Sequence, residues 1–160
     1  MIVKTKSIQG RRELHFADFS ELLADAEHVA NSPCQTLGNW SVGQILDHLA
    51  KAAMAPFEGF GGLKAPWLAR TFVMPFIKNS LLTKSMPAGF QLPRNATALV
   101  PADEIDPRAA LEKLKGALGR FTTDMPHFPH PFLGKLALQE WVSLTLRHAE
   151  MHLSFLIPRR

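Results

Sequence analysis

Four separate stretches of this chain repeat apolar residues at i, i+3, i+4 spacing, and each is bounded by a recognisable helix signal. That periodicity gives each stretch one apolar face, and four such faces must be buried against one another. The clearest start is Ser41-Val-Gly-Gln44, a capping box with Trp40 and Ile45 placed as its hydrophobic staple. Val42, Ile45, Leu46, Leu49, Ala52 and Ala53 carry the repeat onward, and Pro56 is predicted to end or kink this helix before Gly59, Gly61 and Gly62. Asp18-Phe-Ser-Glu21 is a similar box and predicts a helix from Asp18 to Asn31, stopped by Ser32-Pro33. Asp106-Pro107 supplies an N-cap and a first-position proline for a third helix through Leu111, Leu114, Leu118 and Phe121. A last helix is predicted from Leu138 to Ile157, ended by Pro158. No strand pattern and no internal repeat stand out. The 160 residues therefore read as one all-α domain, residues 1–160, built as a four-helix bundle.

The link between the second and third helices is long and heavily punctuated. Short helical pieces are expected at Trp67–Met74 and Phe76–Leu82, with irregular chain over Met86–Ala102. Residues 59–102 hold five basic side chains (Lys64, Arg70, Lys78, Lys84, Arg94) and no acidic one, so the whole positive excess of the chain, net +4, comes from there. Five cations over so long a stretch is too thin for a nucleic-acid face. The segment reads as a solvated connector, the alternative being a lid that draws an anionic small-molecule substrate toward a nearby site. No stretch approaches the ~18 apolar residues of a membrane span, and the basic N-terminus lacks the apolar core of a secretory signal. The lone Cys34 excludes an internal disulfide and reads as a small buried filler. A soluble, cytoplasmic protein with no membrane or nucleic-acid partner is expected.

Seven histidines are the compositional oddity. His148 and His152 stand four apart on the last helix, so both imidazoles project from one face and can reach one metal ion. Advancing 100° per residue from His148 puts His152 at about 40°, Trp141 at about 20°, Phe155 at about −20° and Leu144 at about −40°. Both histidines thus lie within the core-facing stripe, where two adjacent rings cannot easily all find protein partners. A shared cation answers that difficulty; a carbonyl or water bound to each ring is the plainer alternative. Glu150 falls on the opposite side, at about 200°, so it cannot serve as the base of an HExxH-type protease and is expected to face solvent or a partner. Val142, Leu146, Ala149 and Leu153 form a second stripe there, for packing on the connector or as the seam of a homodimer. His48, at the flank of the second helix, is the natural third ligand. Three neutral ligands without a carboxylate favour Zn, Ni, Co or Fe over Mg or Ca. His130 and His127, in the proline-locked loop Met125–Pro131, are candidate acid–base groups, His130 the stronger. His15 and His28 read as surface residues.

Three stretches resemble the DinB/YfiT superfamily of metalloproteins. Leu37-Gly-Asn-Trp-Ser-Val-Gly-Gln-Ile-Leu-Asp-His-Leu-Ala50 is similar to the start of its second helix. His130-Pro-Phe-Leu-Gly-Lys-Leu136, with Gln139-Glu-Trp141 and Arg147-His-Ala-Glu-Met-His-Leu153, is similar to its final helix and preceding loop. The combination most resembles an uncharacterised, domain-of-unknown-function branch. The resemblance implies an up-down-down-up four-helix bundle with a long crossover between helices 2 and 3. It also implies a divalent metal, commonly zinc or nickel, on His48, His148 and His152. Ala137 departs from the Ser or Thr that usually caps the last helix. Superfamily members include thiol-dependent S-transferases and an isomerase. The expected function is a metal-dependent enzyme acting on a small molecule, hydrolytic or thiol-transferring, with His130 as acid–base partner. A non-catalytic metal-binding bundle is the alternative. A damage-response protein acting on nucleic acid is a third reading, which the sparse basic segment disfavours.

Overall fold

The structure, a computed structural model, describes residues 4–64, 66, 69–90 and 92–159. Five α-helices form its frame: α1 (Phe19–Asn31), α2 (Val42–Glu58), α3 (Met74–Thr83), α4 (Pro107–Thr123) and α5 (Leu138–Leu153). Local chemistry explains each start. Asp18 accepts the Glu21 N–H, while the Glu21 carboxylate reaches past the cap to the Ala17 N–H. At α2 the box is complete, with Ser41 Oγ accepting from Gln44 N and Gln44 Oε1 accepting from Ser41 N. Asp106 accepts from both Arg108 and Ala109 ahead of α4. Ala137 has no acceptor to offer α5, and only half a box forms, the Glu140 carboxylate accepting from Ala137 N.

Three boundaries differ from expectation. Helix α2 runs through Pro56 to Glu58, because a proline in the last turn forfeits a single intrahelical bond that packing there outweighs. The freed end of α2 is put to use: the Pro56 carbonyl accepts from the N–H groups of His127 and Phe128 and so anchors the proline loop. Helix α5 ends at Leu153, four residues early, and the chain turns into a short strand, β2 (Leu156–Pro158). This strand pairs antiparallel with β1 (Cys34–Thr36), Gln35 opposite Ile157. The fold is thus mainly helical with a small two-stranded sheet, which corrects the purely helical expectation. Strands of three residues are too short to show alternation, and Pro33 and Pro158 mimic helix stops. In the crossover, the first expected helical piece includes Trp67 and Leu68, which lie outside the described residues. Its described part, Ala69–Val73, is a π-type turn leading into α3.

Helix α2 packs most extensively on α4, α1 lies against α4, and α3 against α5. Leu22, Leu46, Leu114, Leu153 and Leu156 are fully enclosed, so the core draws on α1, α2, α4, α5 and β2 together. The second apolar stripe of α5 is consumed inside the chain. Leu146, Ala149 and Leu153 are buried, and the N-terminal segment runs along this side. There Arg12 Nη2 donates to the Leu153 carbonyl and Arg12 N to that of Ser154. Glu150 is buried too, against expectation. Its Oε1 accepts from Phe16 N at 2.6 Å and from Arg147 Nη2 at 2.8 Å, while Arg147 Nη2 donates to the Phe16 carbonyl. A charged pair four-square with a backbone N–H and C=O can be enclosed where an isolated glutamate cannot.

Candidate metal centre

Helices α2 and α5 bring His48, His148 and His152 together. One ring nitrogen from each lies within 4.8 Å of the others. His148 Nε2 stands 3.4 Å from His48 Nε2 and 3.0 Å from His152 Nε2. His48 is buried, and the other two are half-buried at a cavity wall. The second nitrogen of His48 is spoken for: Nδ1 lies 2.7 Å from the Leu99 carbonyl. A carbonyl only accepts, so Nδ1 carries the proton and Nε2 presents its lone pair to the other two rings. Burial lowers the basicity of all three imidazoles. His148 is pushed down to about 3, burial acting first and the neighbouring His48 and His130 adding to it. His152 lies well below the usual histidine range for the same reason, with His148 and His48 contributing. In His48 burial again dominates, partly opposed by the bond to Leu99.

Three neutral rings with nitrogens this close pose a bonding problem. His48 Nε2 has no proton, and one proton on His148 Nε2 can serve only one of its two close contacts. A cation bound by all three lone pairs resolves it. In a tetrahedral zinc site with Zn–N of about 2.0–2.1 Å, ligand nitrogens sit about 3.3–3.4 Å apart. The observed 3.4 and 3.0 Å are within a few tenths of an ångström of that spacing. The group can therefore hold a metal ion, and the Leu99 carbonyl supplies the outer contact that such ligands require.

Segments without regular structure complete the surroundings. His130 Nδ1 accepts from the N–H groups of Phe132 and Leu133, at 3.2 and 3.1 Å. Its backbone exchanges two hydrogen bonds with Gly134, whose φ of 74° closes this tight loop at no steric cost. Because two N–H groups occupy Nδ1, the ring proton sits on Nε2, the opposite tautomer from His48. Burial pushes His130 down to about 4. The ring lies against Trp141 and Phe60, both centroids 5.7 Å away, and lines the same cavity as the three converging histidines. His127, by contrast, is exposed and contributes its backbone N–H to Pro56. His28 is exposed beside Ser32, and His15, 73% exposed, leans on Arg147. The thiol of Cys34 is raised in pKa, chiefly by burial, and donates to the Val29 carbonyl.

A family model described as "Protein of unknown function (DUF1569)" matches residues 8–159. The chain belongs to that family. No curated protein and no solved structure is significantly similar to it. This member of DUF1569 owes its site to two residues that histidine spacing does not reveal. Trp40, expected only as a staple, stacks on His152 with centroids 5.6 Å apart and lies 4.9 Å from His48, so it walls the cluster. Asp47, fully enclosed, accepts from Lys51 at 2.9 Å, Lys113 at 3.0 Å and Ala102 N at 3.0 Å. Burial pushes its carboxyl up, but these donors more than reverse that and hold it at about 2. Lys51 Nζ also reaches the Val100 carbonyl and Gln44 Nε2 the carbonyls of Ala102 and Asp103. Gln44, Asp47, His48 and Lys51 thus grip residues 99–103 and hold the Leu99 carbonyl against His48. That polar stripe, at i, i+3, i+4, i+7, was the available signal.

Proposed function

We propose that this protein is a metal-dependent enzyme acting on a small molecule, of hydrolytic or thiol-transferring type. His48, His148 and His152 hold a divalent transition ion, zinc or nickel by ligand chemistry. The observation that carries this is the convergence of three neutral imidazole nitrogens at the wall of a cavity of about 630 Å³. Such an ion supplies Lewis acidity toward an electrophilic carbonyl, or toward a water or thiol nucleophile. The chain's own residues do the rest. The Leu99 carbonyl keeps His48 in its ligating tautomer, Trp40 packs on the His48 and His152 rings, and Trp141 packs on His130. His130, with Nδ1 engaged by backbone, offers Nε2–H as a hydrogen-bond donor to a developing negative charge on substrate oxygen. We read the fold as DinB/YfiT-like, an up-down-down-up four-helix bundle of α1, α2, α4 and α5 in a single domain, α3 belonging to the crossover. A cytoplasmic location agrees with the single cysteine.

Metal analysis of protein purified without an affinity tag tests the reading, repeated on His148→Ala. One ion per chain in the wild type and its loss in the variant are expected. Substoichiometric metal in the wild type, or unchanged metal in the variant, refutes it. A fourth protein ligand, visible as an imidazole or carboxylate closing the sphere, would transfer support to a non-catalytic metal-binding role.

A further inference from the structure

The cavity beside the three histidines is walled without charge. Among its described lining residues there is no Lys, Arg, Asp or Glu. Apart from the four histidines and the indole N–H groups of Trp40 and Trp141, its described polar side chains are Thr5, Asn39 and Thr145, and the Thr145 hydroxyl is already donated to the Trp141 carbonyl. Among the described residues, the crossover, which carries the positive charge of the sequence, meets the cavity with apolar side chains. It contributes Ile77, Leu81, Met86, Phe90 and Leu92, whereas Lys64, Lys84 and Arg94 are exposed elsewhere. Lys78 is turned to Glu140, at 2.7 Å. Facing walls from α2, α5 and the proline loop add Leu49, Leu144, Phe132 and Leu133. A charged substrate body would leave water for walls that offer it no counter-charge, which is costly. An apolar body would bury its surface there favourably.

We infer that the site takes an uncharged substrate with an extended apolar body and one small polar head. The head meets the three converging histidines and His130, and the body lies between α3, Met86, Phe90, Leu92 and Phe132. This rests on the proposed metal site and replaces the anionic substrate that the basic crossover suggested. Lys64, Lys84 and Arg94 are directed to solvent and Lys78 to Glu140, so these four confer no preference for anions inside the cavity.

The test uses the full chain loaded with cobalt(II), whose absorption spectrum reports ligand binding at the ion. Three chelators share one head: acetohydroxamic acid, octanohydroxamic acid, and suberic acid monohydroxamate, which has the length of the second but ends in a carboxylate. Affinity is expected to rise about fourfold per buried methylene, giving octanohydroxamic acid at least a fiftyfold advantage over the acetyl compound. The carboxylate-ended acid should bind at least tenfold more weakly than its methyl-ended counterpart. No gain with chain length, or equal or tighter binding of the carboxylate-ended acid, overturns the inference and leaves the metal site standing. If cobalt fails to bind, the metal reading falls. The cavity is then judged alone by N-phenyl-1-naphthylamine on the metal-free chain, where absence of a fluorescence rise overturns the apolar assignment. Leu81→Glu should weaken octanohydroxamic acid at least tenfold and spare acetohydroxamic acid. Should that variant melt early, Phe90→Asp, at a side chain 72% exposed, should show the same selectivity at threefold or more. Unaltered binding of the long chelator by the folded variant refutes the placement of the body.

Discussion

Replacing Asp47 by Asn removes a charge from a fully enclosed position while keeping its shape and one acceptor for the Ala102 N–H. The native carboxyl titrates at about 2 against an ordinary 3.8. The folded state thus favours the ionised form, by an upper figure of about 2.4 kcal/mol. Solvent screening trims this, because Lys51 and Lys113 are 35% and 56% exposed. A loss of about 1–2 kcal/mol is expected, or roughly 2–8 °C in melting temperature for a chain of this size. The sign with pH follows from the depressed value. The contribution is fully present above about 3.8 and disappears as pH falls through about 2, with about half remaining at pH 3.

Urea unfolding of the metal-free wild type and Asp47→Asn at pH 7, 4 and 3 measures this difference, and taking the difference cancels the other groups that titrate. A cost below about 0.5 kcal/mol at pH 7, or one that does not shrink toward pH 3, refutes the assignment of Asp47 as an ion-paired clamp. The clamp also has a consequence at the site. Asp47 holds residue 102, and the same stretch carries the Leu99 carbonyl that orients His48. Loss of an outer contact of this kind typically costs about 10–100-fold in metal affinity. Metal affinity falling in Asp47→Asn, with His48, His148 and His152 intact, is therefore expected in competition with a chromophoric chelator.

The metal-free protein should lose stability as pH drops below about 6.5. His130 and His148 stay neutral in the fold to about 4 and about 3 while the unfolded chain takes up protons first. At pH 5 each costs up to about 2 kcal/mol, readable in the urea midpoint, and an unchanged midpoint between pH 7 and 5 contradicts their burial as neutral rings. Gly43→Ala should destabilise, reversing the usual helix preference for alanine, because its Cβ would collide with the Ile105 carbonyl oxygen. A cost of about 1–3 kcal/mol is expected in chemical denaturation, and a stabilised variant would show that α2 and residue 105 are not so close. Nitrogen-15 shifts of the imidazoles at neutral pH should show His48 protonated at Nδ1 and His130 at Nε2. Like tautomers at the two positions would remove the donor role given to His130.

What could be read in advance divides along a physical line. Helix starts are local events, so Ser41, Gln44, Asp18 and Asp106 announced α1, α2 and α4 to within a residue. The angular position of His148 and His152 is equally local, following from a fixed rotation per residue. The sheet was illegible because three-residue strands exist only through pairing over more than a hundred residues, Cys34 with Pro158. Glu150 was misplaced for a related reason. Rotation about α5 locates its side correctly, but whether that side meets solvent depends on Arg11–Phe16 lying down upon it, and nothing in those residues announces a partner.

Two histidines of the proposed site, His48 and His130, are distinguished less by spacing than by what engages their Nδ1. His48 and His130 both have one nitrogen fixed by backbone, but by groups of opposite polarity, a carbonyl for His48 and two N–H groups for His130. The carbonyl turns the first ring into a lone-pair donor and the N–H pair turns the second into a proton donor. Both backbone partners belong to proline-rich, irregular chain, residues 99–103 and 130–134, whose placement depends on α2 through Asp47, Lys51 and the Pro56 carbonyl. A bundle can supply histidines at helical spacing from pattern alone. Fixing two of them in opposite tautomers takes carbonyls and N–H groups that helices keep for themselves, and the crossover and the proline loop, both pinned to the helix that carries His48, supply them.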